Sequence, residues 1–286
     1  MLTQNIIINL APTGMVSGKN DNPFLPLSVD EIVRDVGLCV AEGASIIHVH
    51  ARDPAGVATA DVELFAGMIR NIRIACPDIV ITATTSGRLW HEFEKRSAVL
   101  DLEGDAKPDM ASLTLGSLNF SGSASINSPD MIERLAARMQ ERGIKPELEV
   151  FDLGMVNYAK VLIKKRLLSP PYYFNILLGN MASAQASLLH VAAIVNDLPE
   201  GSVWCLAGIG AAQLPMNALG LAMAYGVRVG LEDNLWFDAA RTRVATNLEL
   251  VERVAALAKL LGRPPATPAQ TRQYLGLSPV FQAISS

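Results

Sequence analysis

Apolar and polar residues are distributed along the chain in two kinds of segment. Short runs of consecutive apolar residues predict parallel strands that are covered on both faces. Longer stretches, in which apolar positions return every three or four residues, predict amphipathic helices. The predicted strands are residues 5–10, 45–49, 79–82, 110–113, 148–151, 172–177, 202–206 and 227–231. The predicted helices are residues 28–41, 61–75, 91–100, 128–141, 157–165, 183–196, 211–224 and 238–261.

Start and stop signals support several of these helices. Ser28 stands three residues before Glu31, which is the spacing of a capping box. Ser128 is followed by Pro129, so that an N-cap precedes a proline at the first helical position. Gly143 follows the same helix, where a left-handed residue is expected to end it.

Eight strand–helix alternations without a break in composition allow a closed barrel or an open doubly wound sheet. A dinucleotide-binding open sheet would carry G-x-G-x-x-G after its first strand, and residues 11–16 do not supply it. We therefore predict a (β/α)₈ TIM barrel as a single domain over residues 1–286. The proline-rich tail from about residue 264 predicts an extended C-terminal arm.

Bulk composition limits the partners and the compartment. The 286 residues are half apolar, and the formal net charge of −4 provides no basic surface for nucleic acid. The three cysteines are far apart in the sequence and suit a reducing compartment better than a disulfide framework. The apolar stretch 214–229 is too short and too often interrupted to span a membrane. We expect a cytoplasmic protein without a nucleic-acid or membrane partner.

Polar residues collect at the carboxyl ends of the predicted strands, where barrels carry their catalytic groups. At the end of the second strand, His48 and His50 are two residues apart and project from the same face. Two imidazoles that converge in a barrel mouth favour a divalent metal site. The alternative is that one histidine packs in the core while the other bonds to a backbone carbonyl, which is the usual interpretation of a lone histidine.

The eighth strand end supplies the best third ligand. Arg228 and Glu232 share the same parity along this segment, and we expect both to face inward. Two histidines and one carboxylate with an open position suit Zn²⁺, and also Fe²⁺ or Mn²⁺. Arg228 is then a fixed cation beside the metal, and Asp233 is a candidate general base. A solvated acidic turn or a helix N-cap is the alternative interpretation of these acidic residues.

Hydroxyl side chains follow the third and fourth predicted strands. They can donate hydrogen bonds to a substrate, although threonines that are buried on strands are often only structural. They are Thr84, Thr85, Ser86, Ser112 and Thr114.

With these residues in view, the chain resembles the β-keto acid cleavage enzymes, the family that includes 3-keto-5-aminohexanoate cleavage enzyme. The matching segments are spread over most of the chain and follow the family's order. They are residues 11–14 (APTG), 26–32 (PLSVDEI), 43–53 (GASIIHVHARD), 111–120 (ASLTLGSLNF), 146–152 (PELEVFD) and 227–234 (VRVGLEDN).

The resemblance implies a zinc-dependent Claisen-type exchange on a (β/α)₈ barrel. A β-keto acid and the co-substrate acetyl-CoA would give acetoacetate and a new acyl-CoA. By similarity, His48, His50 and Glu232 bind one Zn²⁺ per subunit, which polarises the keto group of the substrate. Asp233, held by Arg228, would be the base that generates the enolate. The resemblance also implies a homo-oligomer, and it favours a tetramer.

Further residues take their roles from the same similarity. Thr84 stands where the family carries a serine or threonine that contacts the substrate or the thioester, and Thr85 and Ser86 are substrate-binding candidates beside it. Thr114 and Glu149 would belong to the same catalytic polar network.

A binding site for CoA is the least defined part of this prediction. No glycine-rich loop of the kind that cradles phosphates is evident in the sequence. Gly179 and Asn180, after the sixth predicted strand, are the candidates for contact with CoA.

One departure from the family pattern bears on the substrate. Many members have Gly-Ala-Glu after the first strand, with the glutamate at the distal end of the substrate, whereas the sequence here reads Gly14-Met15-Val16. If Val16 takes the place of the glutamate, an amino-bearing substrate would lose its counter-charge, which is costly in a dehydrated pocket. We therefore predict a substrate with a neutral, apolar or anionic tail, and Arg88 is the candidate to meet an acidic one.

Two other functions stay open at this point. A metal-dependent TIM-barrel hydrolase would use its metal to activate water. Such enzymes often carry further histidines, whereas His91 and His190 fall on predicted helices. A non-catalytic barrel would be expected to lack Arg228, Glu232 or Asp233, and all three are present.

Overall fold

The eight apolar runs form the parallel strands of one closed barrel in the computed structural model, which describes residues 4–279. Each barrel strand pairs with the next one along the chain, and the last pairs with the first. The strands, in chain order, are β1 (Ile7–Leu10), β2 (Ile46–Val49), β3 (Val80–Ala83), β4 (Met110–Thr114), β5 (Leu118–Asn119), β6 (Ala124–Ser125), β7 (Lys145–Val150), β8 (Tyr172–Leu178), β9 (Ser202–Gly208) and β10 (Gly226–Val229). Strands β5 and β6 stand outside the barrel as a small antiparallel hairpin.

A helix follows each barrel strand, so that the (β/α)₈ TIM barrel predicted from the sequence is confirmed. The helices are α1 (Val29–Ala41), α2 (Val62–Ala75), α3 (Phe93–Ser97), α4 (Pro129–Arg142), α5 (Leu153–Lys164), α6 (Leu188–Asp197), α7 (Gln213–Met223), α8 (Asn247–Leu260) and α9 (Pro268–Leu275). The predicted capping signals also hold. Ser28 and Glu31 form a reciprocal capping box on α1, and Gly143 ends α4 in a left-handed conformation.

The alternation of side chains along each strand divides the barrel interior into an apolar floor and a polar upper part. The floor is a cluster of buried residues near the amino ends of the strands. It consists of Ile7, Ile46, Val80, Met110, Tyr173, Val203, Cys205 and Leu275. Two residues further along their strands, several of the same faces carry buried polar groups. These are Asn9, His48, Thr82, Ser112 and Asn175, and Arg228 stands two residues after Gly226 on β10.

The outward positions of the strands are apolar and pack against the helices. Ile8, Ile47 and Ile81 belong to this second, larger cluster, together with Val36 of α1 and Ile69 of α2. Each of these side chains is fully buried, and burial of one such side chain stabilises a fold by about 1.5–3 kcal/mol. The interior polar groups are therefore held on strands whose other face is fixed by the core.

One predicted helix is wrong over its first residues. Residues 238–246 form a loop with a bridge and turns, and α8 begins only at Asn247. Thr246 and Glu249 form a capping box at that point, with each side chain accepting a backbone hydrogen bond of the other residue. The other boundaries differ from the prediction by five residues or fewer.

The predicted extended arm is also wrong where the structure describes it. Pro268 opens a helix that is capped by Thr267, and this helix packs across the amino end of the barrel. The Arg272 guanidinium donates to Asp109 at 2.9 Å, and the Thr271 hydroxyl donates to the Ser45 hydroxyl at 2.8 Å. The tail thus closes the floor of its own barrel, and residues 280–286 lie outside the described residues.

Within residues 4–279, no helix combines the length and the apolar character that a membrane span requires.

Candidate active site

A cavity opens at the carboxyl ends of the barrel strands and encloses about 780 Å³ of empty space, part of it open to solvent. Catalysis in this fold takes place at this end of the barrel. Its walls combine the histidines of β2 and the acidic residues that follow β10 with apolar and hydroxyl side chains. Among the lining residues are His48, His50, Thr84, Ser86, Arg88, Thr114, Glu149, Arg228, Glu232 and Asp233.

His48, His50 and Glu232 converge at the bottom of the cavity. The Nε2 atoms of the two histidines are 3.2 Å apart, and Glu232 Oε1 lies 3.2 Å from His50 Nε2. The second oxygen of Glu232 lies 4.0 Å from His48 Nε2. Donors held at about 2.0–2.1 Å around one tetrahedral ion are about 3.3 Å apart, and the histidine nitrogens have this spacing.

The orientation of His48 is set by a buried carboxylate below it. His48 Nδ1 lies 2.7 Å from Glu147 Oε2, and this contact assigns the ring hydrogen to Nδ1 and leaves the Nε2 lone pair facing the cavity. Asn9 and Asn175 both donate to Glu147 Oε1. Burial alone would raise the pKa of Glu147, but His48, Arg228 and the Asn9 amide hold it below its ordinary value.

Arg228 lies between three carboxylates in the upper part of the barrel. Its guanidinium donates to both oxygens of Asp233, from Nε at 2.8 Å and from Nη2 at 3.2 Å. Nη2 also donates to Glu232 at 2.9 Å, while Nη1 reaches Glu149 at 3.4 Å. Burial alone would lower the pKa of Arg228, but these carboxylates raise it well above its ordinary value. Arg228 therefore remains charged and fixes the orientation of Asp233.

Two further carboxyl groups in the cavity have raised pKa values, which suit a function in proton transfer. Burial raises the pKa of Asp233 and that of Glu149, although Arg228 opposes the shift in both cases. The Thr114 hydroxyl donates to Glu149 Oε2 at 2.6 Å and orients it. A carboxylate with a raised pKa accepts a proton more readily, as a general base near neutral pH must.

The residues present fit a divalent cation. Glu149, Glu232 and Asp233 place three carboxyl groups around the single guanidinium of Arg228, so that this cluster lacks positive charge. Glu232 Oε2 is buried and has no hydrogen-bond partner within residues 4–279. A cation bound by His48, His50 and Glu232 would satisfy this oxygen and balance the charge.

A glycine in the loop after β1 leaves the space that the Glu232 side chain occupies. Gly14 has φ +65°, a left-handed conformation that favours glycine, and a Cβ at this residue would lie 2.7 Å from Glu232 Cγ. The Arg52 guanidinium holds the Gly14 carbonyl oxygen with bonds of 2.8 and 3.1 Å. The backbone therefore approaches the acidic side chain as closely as a residue without Cβ permits.

The structure brings most of the predicted site residues to the cavity but places Val16 at its rim. Thr84, Ser86, Arg88 and Thr114 line the cavity, and Val16 lines it with 65% of its surface exposed. Val16 therefore borders the cavity, and its part in selecting the tail of the substrate stays a prediction.

Four predicted residues do not line the cavity, namely Thr85, Ser112, Gly179 and Asn180. The Thr85 hydroxyl donates to the Ser112 carbonyl oxygen at 2.6 Å, so it ties β3 to β4 instead of facing a substrate. Asn180 donates to the Asn119 carbonyl oxygen at 2.9 Å and holds the hairpin. Gly179 has φ +90° and lies beside it, away from the cavity lining. The predicted contact of Gly179 and Asn180 with CoA gains no support from these positions.

Two residues of the site were not singled out from the sequence. Glu147 lies two residues before the predicted Glu149, so both side chains point to the same face of the strand. This spacing could have indicated Glu147 as a partner of His48. Phe120 lines the cavity, and the Arg88 guanidinium lies 3.8 Å from its ring centroid. It comes from the β5–β6 hairpin region, whose position over the barrel has no signature in the sequence.

Solved structures with the same fold include the apo form of ObcA, which superposes with a TM-score of 0.79. The match covers 89% of this chain and 66% of that one, and at 22% identity it concerns the fold alone.

Characterised relatives are similar over nearly the whole chain. The 3-keto-5-aminohexanoate cleavage enzyme of Fusobacterium nucleatum is 40% identical, and the match covers 96% of this chain and 99% of that protein. The 3-oxoadipate:acetyl-CoA acetyltransferase of Cupriavidus necator is 36% identical over 96% of each chain. A family model described as beta-keto acid cleavage enzyme matches residues 5–277. The resemblance inferred from the sequence is confirmed, and the chain belongs to the β-keto acid cleavage enzyme family.

Proposed function

We propose that this enzyme catalyses a zinc-dependent exchange between a β-keto acid and acetyl-CoA that yields acetoacetate and a new acyl-CoA. The observation that carries the proposal is the convergence of His48, His50 and Glu232 beside an aspartate that is held by a buried arginine. The names of the relatives from Fusobacterium nucleatum and Cupriavidus necator agree with this chemistry, since one is a keto acid cleavage enzyme and the other an acetyl-CoA acetyltransferase.

His48, His50 and Glu232 are the residues that would hold Zn²⁺ in this proposal. When bound, the ion supplies a Lewis acid that withdraws electron density from a carbonyl oxygen of the substrate. Glu147 orients one of these ligands, because its bond to Nδ1 directs the Nε2 lone pair of His48 to the cavity.

Asp233 is the group proposed to take the proton from the carbon between the two carbonyl groups of the keto acid. Its two oxygens are fixed by Arg228, so that the carboxylate cannot turn away from the substrate. Arg228 also places positive charge where negative charge develops as the proton leaves. Glu149 faces the same cavity and can hold a proton in a later step, since its pKa is raised by burial.

Hydroxyl groups complete the proposed site. Thr84 and Ser86 line the cavity on the side of β3 and can donate to a substrate carboxylate or to the thioester oxygen. Thr114 acts through Glu149, to which it donates at 2.6 Å. A homo-oligomer and a cytoplasmic location stay predictions.

An assay with a panel of β-keto acids and acetyl-CoA tests this proposal. We expect acetoacetate and a new acyl-CoA to form in equal amounts, and both products to disappear in Asp233→Asn. Products formed from the keto acid without acetyl-CoA would instead indicate the metal-dependent hydrolase. The position of His190 does not support that alternative, because its Nδ1 accepts from the Gln185 backbone at 2.7 Å instead of facing the cavity.

A further inference from the structure

Arg88 presents a guanidinium inside the cavity without an anionic partner. It follows the turn after β3, and its side chain is half-buried against the β5–β6 hairpin region. Within residues 4–279, Arg88 forms no ion pair with a carboxylate, although the charge of Glu232 acts on it from farther away, and its buried Nε has no hydrogen-bond acceptor. A buried donor without an acceptor destabilises a site, and a ligand anion would remove that penalty.

The other arginine of the cavity is fully engaged by the protein. Arg228 is bonded to Asp233, Glu232 and Glu149, all of which belong to the site itself. It therefore has no free pair of donors for a second anionic group of the substrate. Arg88 is the cavity cation whose donors are free among the described residues.

Phe120 fixes the plane of the Arg88 guanidinium. The ring centroid lies 3.8 Å from the central carbon of the guanidinium, which is the distance of a stacked cation–π pair. Stacking on one face leaves the edges of the guanidinium free, and a planar fork of N–H donors binds a carboxylate through two parallel bonds. Val16 and Leu118 add apolar surface nearby, suited to the carbon chain of a ligand.

We propose that Arg88 is the specificity-determining residue of the cavity and binds a second carboxylate at the far end of the keto acid. The preferred substrate class is then a dicarboxylic β-keto acid, whose near end reacts beside His48 and His50. This inference rests on the proposed exchange with acetyl-CoA. The acidic cluster around Arg228 would repel a second carboxylate, so Arg88 is the place in the cavity where a charged tail is stabilised.

The test compares Arg88→Met with the unaltered enzyme on pairs of β-keto acids of equal chain length, one with a terminal carboxylate and one with a terminal methyl group. We expect the unaltered enzyme to prefer the dicarboxylic acid. Arg88→Met should lose on the order of 10- to 100-fold in kcat/KM for the dicarboxylic acid and should change little with the methyl-ended acid.

Two other kinetic results would overturn the assignment. An equal loss with every keto acid would mean that Arg88 holds the carboxylate next to the reacting carbons, which all substrates share. A raised KM for acetyl-CoA with unchanged keto acid dependence would mean that it binds a phosphate of CoA. Arg134→Met is the matched control, because Arg134 stacks on Phe93 at 4.0 Å on the surface outside the cavity.

A binding measurement keeps this inference separate from the proposed reaction. Isothermal titration with adipate and with hexanoate, which lack the keto group, needs no turnover. We expect adipate to bind more tightly than hexanoate and the difference to vanish in Arg88→Met. Equal binding of both acids would overturn the inference even if acetoacetate is formed. Failure of every keto acid to react would overturn the proposed function, whatever the titration gives.

Discussion

Glu147 and His48 form a buried carboxylate–imidazole pair, in which Glu147 Oε2 lies 2.7 Å from His48 Nδ1. The carboxylate is itself fixed by the amides of Asn9 and Asn175, which stand on β1 and β8. Side chains from three strands, β1, β7 and β8, thus determine the direction of one imidazole. A partner of this kind sets the tautomer of a metal-binding histidine and raises its basicity.

Glu147→Gln should weaken zinc binding by about 10- to 100-fold. The amide of glutamine can donate to Nδ1, and that tautomer would place the ring hydrogen of His48 on Nε2, where the metal is expected. A competition titration of the metal-free protein with a chromophoric chelator measures the change. Glu94→Gln is the control, since Glu94 is 81% exposed and far from the cavity lining. Unchanged zinc affinity in Glu147→Gln would show that the pair does not orient the histidine.

A second set of variants distinguishes the residues proposed to bind zinc from the residue proposed to be the base. His48→Ala and Glu232→Ala should each lose zinc and acetoacetate formation, whereas Asp233→Asn should keep zinc and lose turnover. Asparagine cannot take up the proton but retains the shape of the side chain beside Arg228. Metal analysis of the purified variants and the acetyl-CoA assay provide the two readouts. Full metal content in Glu232→Ala would contradict the proposed ligand set.

Gly14→Ala should disturb the same site through the backbone. The added methyl group would lie 2.7 Å from Glu232 Cγ, and the residue would keep the unfavourable φ of +65°. We expect weaker zinc binding and a free energy of unfolding lowered by about 1 kcal/mol or more. Gly18→Ala in the same loop is the matched control, because its added Cβ would have no neighbour within 4 Å. In zinc titration and chemical denaturation, Gly14→Ala should therefore differ from the unaltered protein, whereas Gly18→Ala should not.

The stability of the fold should depend on the titration of Asp35. Burial raises the pKa of Asp35 to about 6, although a hydrogen bond from Asn247 opposes the shift. The folded state therefore binds this proton more tightly than the unfolded chain, whose aspartates titrate near 3.9. The contribution of Asp35 is fully present below about pH 4, and it is lost as the pH rises through about 6.

Asp35→Asn removes this dependence while keeping an acceptor for Asn247. At pH 7.5 the variant should have a free energy of unfolding higher by on the order of 1–2 kcal/mol, and at pH 4 it should match the unaltered protein. Urea denaturation at the two pH values provides the comparison. A gain of equal size at both pH values would contradict the assignment of the effect to the charge of Asp35.

The sequence by itself determined the barrel and the principal residues of the site. Parallel strands with both faces covered have a continuous apolar pattern, and the alternation of side chains placed His48 and His50 on one face without further information. Glu232 and Asp233 could also be predicted from the sequence, because the strand ends of a barrel meet at one rim.

Only the tertiary structure decided which side chains meet across the barrel. The pairs Glu147–His48 and Arg88–Phe120 join segments that are 99 and 32 residues apart in sequence, and no local pattern encodes such contacts. The Thr85 hydroxyl likewise donates to the Ser112 carbonyl oxygen, a contact between strand ends that are 27 residues apart in sequence. The helix α9 packs against the floor of the barrel, and that surface exists only once the barrel has closed. Periodicity is a local property that the chain carries unfolded, whereas contacts between distant strands arise from closure of the sheet.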